Sequence, residues 1–551
     1  MSNSRLVPAL FTVIKGYSKE QFFKDFISGI IVAIIALPLS IALALASGVG
    51  PEEGIYTAIV AGFLISFFGG SRVQIAGPTA AFATIVAGIV AKDGMSGLML
   101  ATIFAGALLI LMGLLKLGRL IKFIPYTITT GFTAGIAVTI IIGQIKDFLG
   151  LSYPKGTVTI ETTDKIKAMA ENIHSFNAMA LLVGLVCLVV LALWPKIPKI
   201  GDKIPASLIA VFVGIGMVKG GHLNVNTIGD LYTISNHLPT LHLPDAITFH
   251  SLQNAATNGV TIAVLAAIES LLSCVVADSM INANHRSNME LVAQGIGNIG
   301  SALFGGIPAT GAIARTAANI KNGGRTPIAG IVHSITLVLI LVILMPYAAL
   351  IPMPTIAAIL FQVGYNMCGH RTFLHILKTA PKSDIFVLVT TFALTVVFDL
   401  VVAIAAGMVL SCVLLMKRLA DEASIEGWIN YDDATDDDDI ELKKVPDHVR
   451  VYEISGPMFF GMTDLITQVK AEENTRVFII RMRAVPALDA SAMHSLEDLY
   501  RRCQKKKIGL VFSHVNEQPL RTMTKAGFVE KIGSDNFCKH IDDALTRASQ
   551  F

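Results

Sequence analysis

Two charges stand where the hydrophobic pattern should exclude them. Glu269 interrupts the apolar run Ala266-Ala267-Ile268-Glu269-Ser270-Leu271-Leu272-Ser273. A carboxylate inside a membrane span is costly, and such residues usually face a cavity, a partner or an ion path. Ser273, four residues on, shares its helical face. Together they suit a coupling ion, H+ or Na+, because a desolvated carboxyl can take up and release a proton. Arg315 is a permanent cation whose planar fork of donors matches carboxylate or sulfate oxygens. A purely structural pairing of Glu269 with Arg315 is the competing reading.

Two stretches offer an anion further donors. Ala76-Gly77-Pro78-Thr79-Ala80-Ala81-Phe82-Ala83-Thr84 opens an apolar run, Ile85 to Val90, too short to cross a bilayer. A full span needs about 20 apolar residues. A half-helix starting inside the membrane is expected, with Gly77 freeing the turn and Pro78 at the first helical position. Free N–H groups and the positive dipole end at such a start attract anions. Gly305-Gly306-Ile307-Pro308-Ala309-Thr310-Gly311-Ala312-Ile313-Ala314-Arg315 repeats the pattern. Pro78 and Pro308 are offset by 230 residues, as are Gly29 and Gly259, while Pro125 and Pro352 are offset by 227. Broken segments at corresponding places in two halves point to a transporter's binding site.

The elements that must position these residues follow from composition. The chain has 551 residues, 53% hydrophobic and 15% charged, against about 25% charged in soluble domains. It reads as a polytopic α-helical membrane protein with a soluble appendage. Its net charge of +3 is small, and no basic face suited to nucleic acid is present. The cysteines Cys187, Cys274, Cys368, Cys412, Cys503 and Cys538 are scattered without metal spacing. No metal or cofactor is expected. Met1 to Asp25 lacks the features of a signal peptide.

About fourteen membrane elements are expected between residues 26 and 418, after a short N-terminal segment, 1–25. Basic residues fall in alternate loops: Arg72; Lys116, Arg119 and Lys122; Lys196, Lys199 and Lys203; Arg286; Lys321 and Arg325; Arg371, Lys378 and Lys382; Lys417 and Arg418. By the positive-inside rule this puts both termini in the cytoplasm. Asp278, Asn282, Asn284, Asn298 and Asn319 read as caps and loop formers. Asp399 falls in an outer turn.

Residues 419–446 read as an acidic linker containing Asp436 to Asp439. The tail, 447–551, reads as a small α/β domain with strands at Val449–Ile454, Val477–Met482 and Ile508–Ser513. Helical patterns occupy Asp464–Glu472, Ala490–Lys505, Leu520–Ala526 and Ile541–Ala548. Asp489 can cap the helix after the second strand. Ser491 sits in its first turn, where a phosphate would be favoured. Capping alone accounts for both.

Ala36-Leu37-Pro38-Leu39-Ser40, Ala76-Gly77-Pro78-Thr79-Ala80, Ala267-Ile268-Glu269-Ser270 and Ile313-Ala314-Arg315 together resemble the SulP family of sulfate permeases. The tail resembles the STAS domain, with Asp489-Ala490-Ser491 at its Asp-x-Ser turn. Within the family the chain is similar to carriers of C4-dicarboxylates. The resemblance implies a 7+7 inverted repeat with two half-helices, an elevator-like core movement, a homodimer and a cytoplasmic STAS domain. It places Thr79 and Ala80 at one anion site and Ala314 and Arg315 at the other, with Gly77, Pro78, Leu39 and Ser40 beside them. It puts Glu269 and Ser273 at the coupling-ion positions and makes Asp489 and Ser491 regulatory. Leu39 stands where many eukaryotic members have Gln. Glu269 stands where Na+-coupled members have Asp, so H+ is favoured and Na+ stays open.

The expected protein is a non-enzymatic secondary active transporter of small anions in the bacterial inner membrane. C4-dicarboxylate is the favoured substrate, with sulfate and bicarbonate open. Membrane lipid, a second copy and a cytoplasmic protein at the STAS domain are the expected partners. An anion channel or a STAS-linked membrane sensor is the alternative.

Overall fold

The computed structural model describes residues 6–551 except 15, 119–123, 155–156, 158, 160, 199–203, 245–248, 399, 429–444, 463–465, 467–468 and 472–473. Lys15, Arg119, Lys122, Lys199, Lys203, Asp399, the acidic run at 436–439 and most of the helix expected at 464–472 lie outside the described residues. The chain divides into two compact units, Met1–Met408 and Val409–Phe551.

In the first unit, helices α1 (Lys19–Ala46) and α2 (Pro51–Phe68) lead into a two-residue strand, β1 (Ala76–Gly77), and then α3 (Ala80–Leu114). Helices α4 (Tyr126–Leu149), α5 (Ala178–Leu193) and α6 (Ala206–Gly220) complete the first half. The second half runs α7 (Phe249–Ile281), α8 (Ser287–Leu303), β2 (Thr310–Gly311), α9 (Ile313–Lys321), α10 (Ile328–Ala348), α11 (Met353–Cys368) and α12 (Lys382–Val397), and α13 (Leu400–Asp421) continues past the end of the unit. Gly94 breaks α3 with φ 67° and ψ −171°, a conformation that only glycine adopts readily. With α3 divided there, these thirteen helices make the fourteen membrane elements expected. Among the described residues, 7 helices are long and apolar enough to cross a membrane; the other helices named here are shorter or more polar.

Helix α1 starts before the expected boundary. Ser18 caps it by accepting from the Gln21 N–H. Asp25, assigned to the N-terminal segment, is buried inside α1 and accepts from Arg325 N at 2.8 Å and Thr326 Oγ1 at 2.6 Å. That ties the first half to the second.

Two packed groups result. α8 lies along α2 and α3, α7 on α3, and α10 on α1 and α2. Separately, α11 and α12 pack on α4, and α5 on α6 and α11. Within the first group, β1 packs on α2 and β2 on α7, and the two strands pair antiparallel, with Ala76 opposite Gly311 and Gly77 opposite Thr310. Antiparallel pairing of the two broken segments is what an inverted repeat requires.

The second unit holds a five-stranded sheet ordered β3 (Ser424–Trp428), β4 (Val449–Ser455), β5 (Val477–Ala484), β6 (Gly509–Ser513) and β7 (Phe537–Cys538). β3 pairs antiparallel with β4, and the remaining pairs are parallel. Helices α14 (Ala490–Lys506), α15 (Glu517–Lys525), α16 (Phe528–Ile532) and α17 (Ile541–Ala548) complete it. Alternate residues of β5 feed two cores. Phe478, Ile480 and Met482 pack with Leu496 and Phe528, and Val477 and Ile479 pack with Ile541 and Ala544. Edge strand β3 corrects the linker reading at 424–428. Its Ser-Ile-Glu-Gly-Trp has too few apolar residues to announce a strand, and the pairing with β4 supplies the order.

Candidate anion-binding site

The site begins at the strand crossing. β1 and β2 leave their backbones unhelical in the middle of the first unit, and each runs directly into a helix. α3 starts at Ala80 with Thr79 as N-cap, and α9 starts at Ile313 with Ala312 as N-cap. This corrects two expectations. Pro78 is not the first helical residue; it precedes the cap. Pro308 lies before β2 rather than at a helix start, so Arg315 is in the first turn of α9, not two turns inside it. The offset between equivalent positions is therefore a few residues longer than the proline spacing implied. Both prolines are buried.

Neither cap side chain bonds its own helix. Thr79 is the informative case. Its hydroxyl donates instead to Glu269 Oε2 at 2.9 Å. The first N–H groups of α3 thus stay available to a ligand, as anion-binding helix starts require.

Both tips face one cavity of about 1120 Å³. Thr79, Ala80 and Ala81 line it from α3, Ala312, Ile313, Ala314 and Arg315 from α9, Leu39 from α1 and Glu269 from α7. The small residues at both tips leave the backbone approachable. The opposite wall, from α4, α6 and α11, adds Thr133, Ser207, Gln362 and Asn366. None of these four was singled out in the sequence. Only the packing of α4 and α11 across from the tips marks them.

Arg315 is nearly buried, and its Nη2 donates to Ser40 Oγ and to the Pro78 carbonyl, each at 3.3 Å. The second broken helix therefore holds the entry to the first. Nη1 lies so close to Gly77 that any side chain there would collide with it. Gly77 is thus needed for this close approach; it lies in β1 without a positive φ, so the freedom to turn expected of it is not what the position uses. Ser40 is fully buried and serves Arg315 rather than the cavity. Glu269 and Arg315 form no ion pair: each is engaged elsewhere. Ser273 does not join Glu269. Its hydroxyl is buried without a partner and lies off the cavity wall. Thr79 takes the place assigned to it, because the crossing brings α3 to the Glu269 face of α7.

Asn298 and Asn319 are not loop formers. Asn298 is buried within α8 and pairs with both backbone groups of Ala309 at 2.9 Å. Asn319, in α9, donates to Val73 O at 2.8 Å and accepts from Ser28 Oγ at 2.7 Å. Irregular backbone at membrane depth needs such partners. Their position on helices between small residues is the one signal that hinted at this. In the second unit Asp489 caps α14, accepting from Ala492 N at 2.8 Å and Phe460 N at 3.0 Å, and Ser491 is exposed. Among the described residues, no group of three or more His, Cys, Asp or Glu side chains is placed to hold a metal ion.

Broken helices meeting tip to tip beside a cavity define a membrane carrier of the inverted-repeat type. The Sulfate permease family model matches residues 22–391 and the STAS domain model residues 439–544. The chain belongs to the sulfate permease family and is an anion transporter, not an enzyme. It is 38% identical over 534 residues to YvdB of Bacillus subtilis, a protein named provisionally as a sulfate transporter, covering 96% of this chain and 98% of that one. It is 29% identical over 545 residues to the bicarbonate transporter BicA of Picosynechococcus, covering 95% and 94%. The murine Slc26a9 anion transporter, solved in an inward-facing state, superposes with a TM-score of 0.88 at 17% identity, covering 99% of this chain and 94% of that one. At that identity the likeness concerns the fold.

Proposed function

We propose that this chain is a proton-coupled carrier that moves small anions, C4-dicarboxylates first, through the bacterial inner membrane. The carrying observation is the convergence of Thr79, Ala80 and Ala314 on one cavity with Glu269 in its wall. Helix-tip amides bind one anionic group of the substrate. Arg315 holds the tips together from behind and adds fixed positive charge to their field. Lys321, also on the cavity wall, supplies a second cation for a second carboxylate. Relatives named for sulfate and for bicarbonate keep those two anions as the competing substrates.

Glu269 exchanges the coupling proton. Protonation removes a negative charge from the cavity wall and makes room for an anion's charge; release restores it. The Thr79 hydroxyl couples that carboxyl to the tip of α3. The group containing α1, α3, α7 and α9 moves as an elevator against the α4–α6–α11 group, in a homodimer with both termini cytoplasmic.

Uptake into proteoliposomes tests this. Labelled succinate, sulfate and bicarbonate are offered under an imposed pH gradient, and separately under a Na+ gradient. Succinate accumulation that follows the pH gradient is the expected result. Accumulation that ignores it and follows Na+ removes the proton role from Glu269. Saturable counterflow separates a carrier from a channel.

A further inference from the structure

The backbone from residue 70 to 77, and again from 306 to 312, crosses the first unit outside any helix. Each N–H and C=O there needs a partner. One face of α8 provides many of them. Glu290 is fully buried. Its Oε2 accepts from Gly70 N at 2.9 Å and Ser71 N at 3.0 Å. Its Oε1 accepts from Gln74 Nε2 and from Gln294 Nε2, both at 2.9 Å. Gln74 in turn accepts from the Cys274 thiol at 2.7 Å. Two helical turns on, Asn298 pairs with Ala309 as a strand would, receiving its N–H and donating to its carbonyl. Ser301 donates to Ile307 O at 2.7 Å.

Glu290, Gln294, Asn298 and Ser301 are spaced by four, four and three residues, which places them on one helical face. Glu290 and Asn298 are about 12 Å apart along the axis. One stiff helix therefore grips the lead-in of α3 with one end and the lead-in of α9 with the other.

We propose that this polar face of α8 is the positioning element of the anion site, with Glu290 setting the tip of α3 and Asn298 the tip of α9. Neither residue lines the cavity, so both act through the helix tips. The inference rests on the reading that those tips bind the anion. A carboxylate is required at 290 because four N–H donors converge there, and it offers two oxygens with no donor of its own. In Glu290→Gln an NH2 meets N–H groups and leaves buried donors unpaired. In Asn298→Asp the acceptor for Ala309 N remains, but the donor to its carbonyl is lost.

The test uses full-length protein in proteoliposomes. Half-saturation of uptake is measured for labelled succinate, sulfate and bicarbonate, normalised to folded transporter. Amide exchange is followed at 75–82 and 309–316. For whichever probe the native protein carries, Glu290→Gln and Asn298→Asp should each raise half-saturation about tenfold. Each should also speed exchange at both segments, the distant one included. Unchanged half-saturation with fewer folded molecules means a structural role only and overturns the proposal. Acceleration confined to the segment nearest the substitution overturns it as well. If the native protein takes up none of the three probes, the proposed function falls, and the exchange measurement alone decides this inference. Glu290→Asp and Gln294→Met serve where the first variants do not fold.

Discussion

The Thr79 hydroxyl, placed where it would cap α3, donates to Glu269 Oε2 at 2.9 Å instead. One hydrogen bond thereby links the tip of α3, proposed to bind the anion, to the ionisable group in the cavity wall. Thr79→Val removes the donor while keeping the shape. A hydrogen bond to a charged group is worth roughly 1.5–3 kcal/mol. The variant should lose about tenfold or more in proton-driven uptake, and the pH dependence of its uptake should shift. An unaltered pH profile would show that the two residues titrate and bind independently.

Glu269→Gln keeps an oxygen to receive the Thr79 hydroxyl but cannot carry a proton. Exchange of labelled for unlabelled anion should persist, whereas accumulation against a gradient should vanish. Counterflow and gradient-driven uptake in the same vesicles measure the two separately. Loss of both would mean that Glu269 is part of the binding geometry rather than the coupling step.

Arg315 reaches Ser40 and Pro78 with the same nitrogen while Nη1 rests against Gly77. Lysine has the charge but not the fork. Arg315→Lys should weaken half-saturation about tenfold, and Gly77→Ala, by pushing the guanidinium away, should do the same. The two changes combined should cost little more than either alone, because both disturb one contact. Additive losses in a double-mutant cycle would refute a shared cause.

Burial pushes the Cys503 thiol up to about 11. The unfolded thiol ionises near 8.5. Between those values the folded state holds the proton that the unfolded state has released, so this thiol's contribution to stability declines as pH rises. In the native chain Cys503 should resist maleimide at neutral pH and react only after the STAS unit is unfolded. Labelling followed by peptide mapping reads this directly. Rapid labelling of the folded protein would contradict its burial on the core-facing side of α14.

Asp489 accepts two backbone N–H groups, one from its own helix and one from Phe460. Asp489→Ala should destabilise the STAS unit by about 1 kcal/mol through loss of the cap. Ser491→Ala should leave it unchanged, since the side chain is exposed. Thermal unfolding of the full chain checks both.

Much of the fold was legible because membrane insertion forces long apolar runs and alternating basic loops on any sequence that spans. The paired broken segments were legible for a related reason: their clusters of glycine and proline interrupt the apolar runs at corresponding places in the two halves. Helix ends were read less well. Local spacing puts Pro78 and Pro308 at helix starts, whereas α3 begins two residues after Pro78 and α9 five residues after Pro308, because a two-residue strand has no periodicity to detect. Edge strand β3 is hidden for a different reason: among its five residues only Ile425 and Trp428 are large and apolar.

Glu269, Arg315, Thr79 and Ala314 were identifiable from the sequence alone, since charge or small side chains beside a helix start are exceptional at membrane depth. What those residues touch was not. The link from Thr79 to Glu269 spans 190 residues and that from Arg315 to Pro78 spans 237, and local spacing carries no information across such distances. Composition and local spacing were enough to show that the chain spans a membrane and that two of its helical segments are broken at matching places. Only the tertiary structure decided that Ser273 stands apart, that Arg315 ties one broken helix to the other, and that α8 supports both. Those outcomes depend on antiparallel pairing at the crossing, which exists only once both halves have packed.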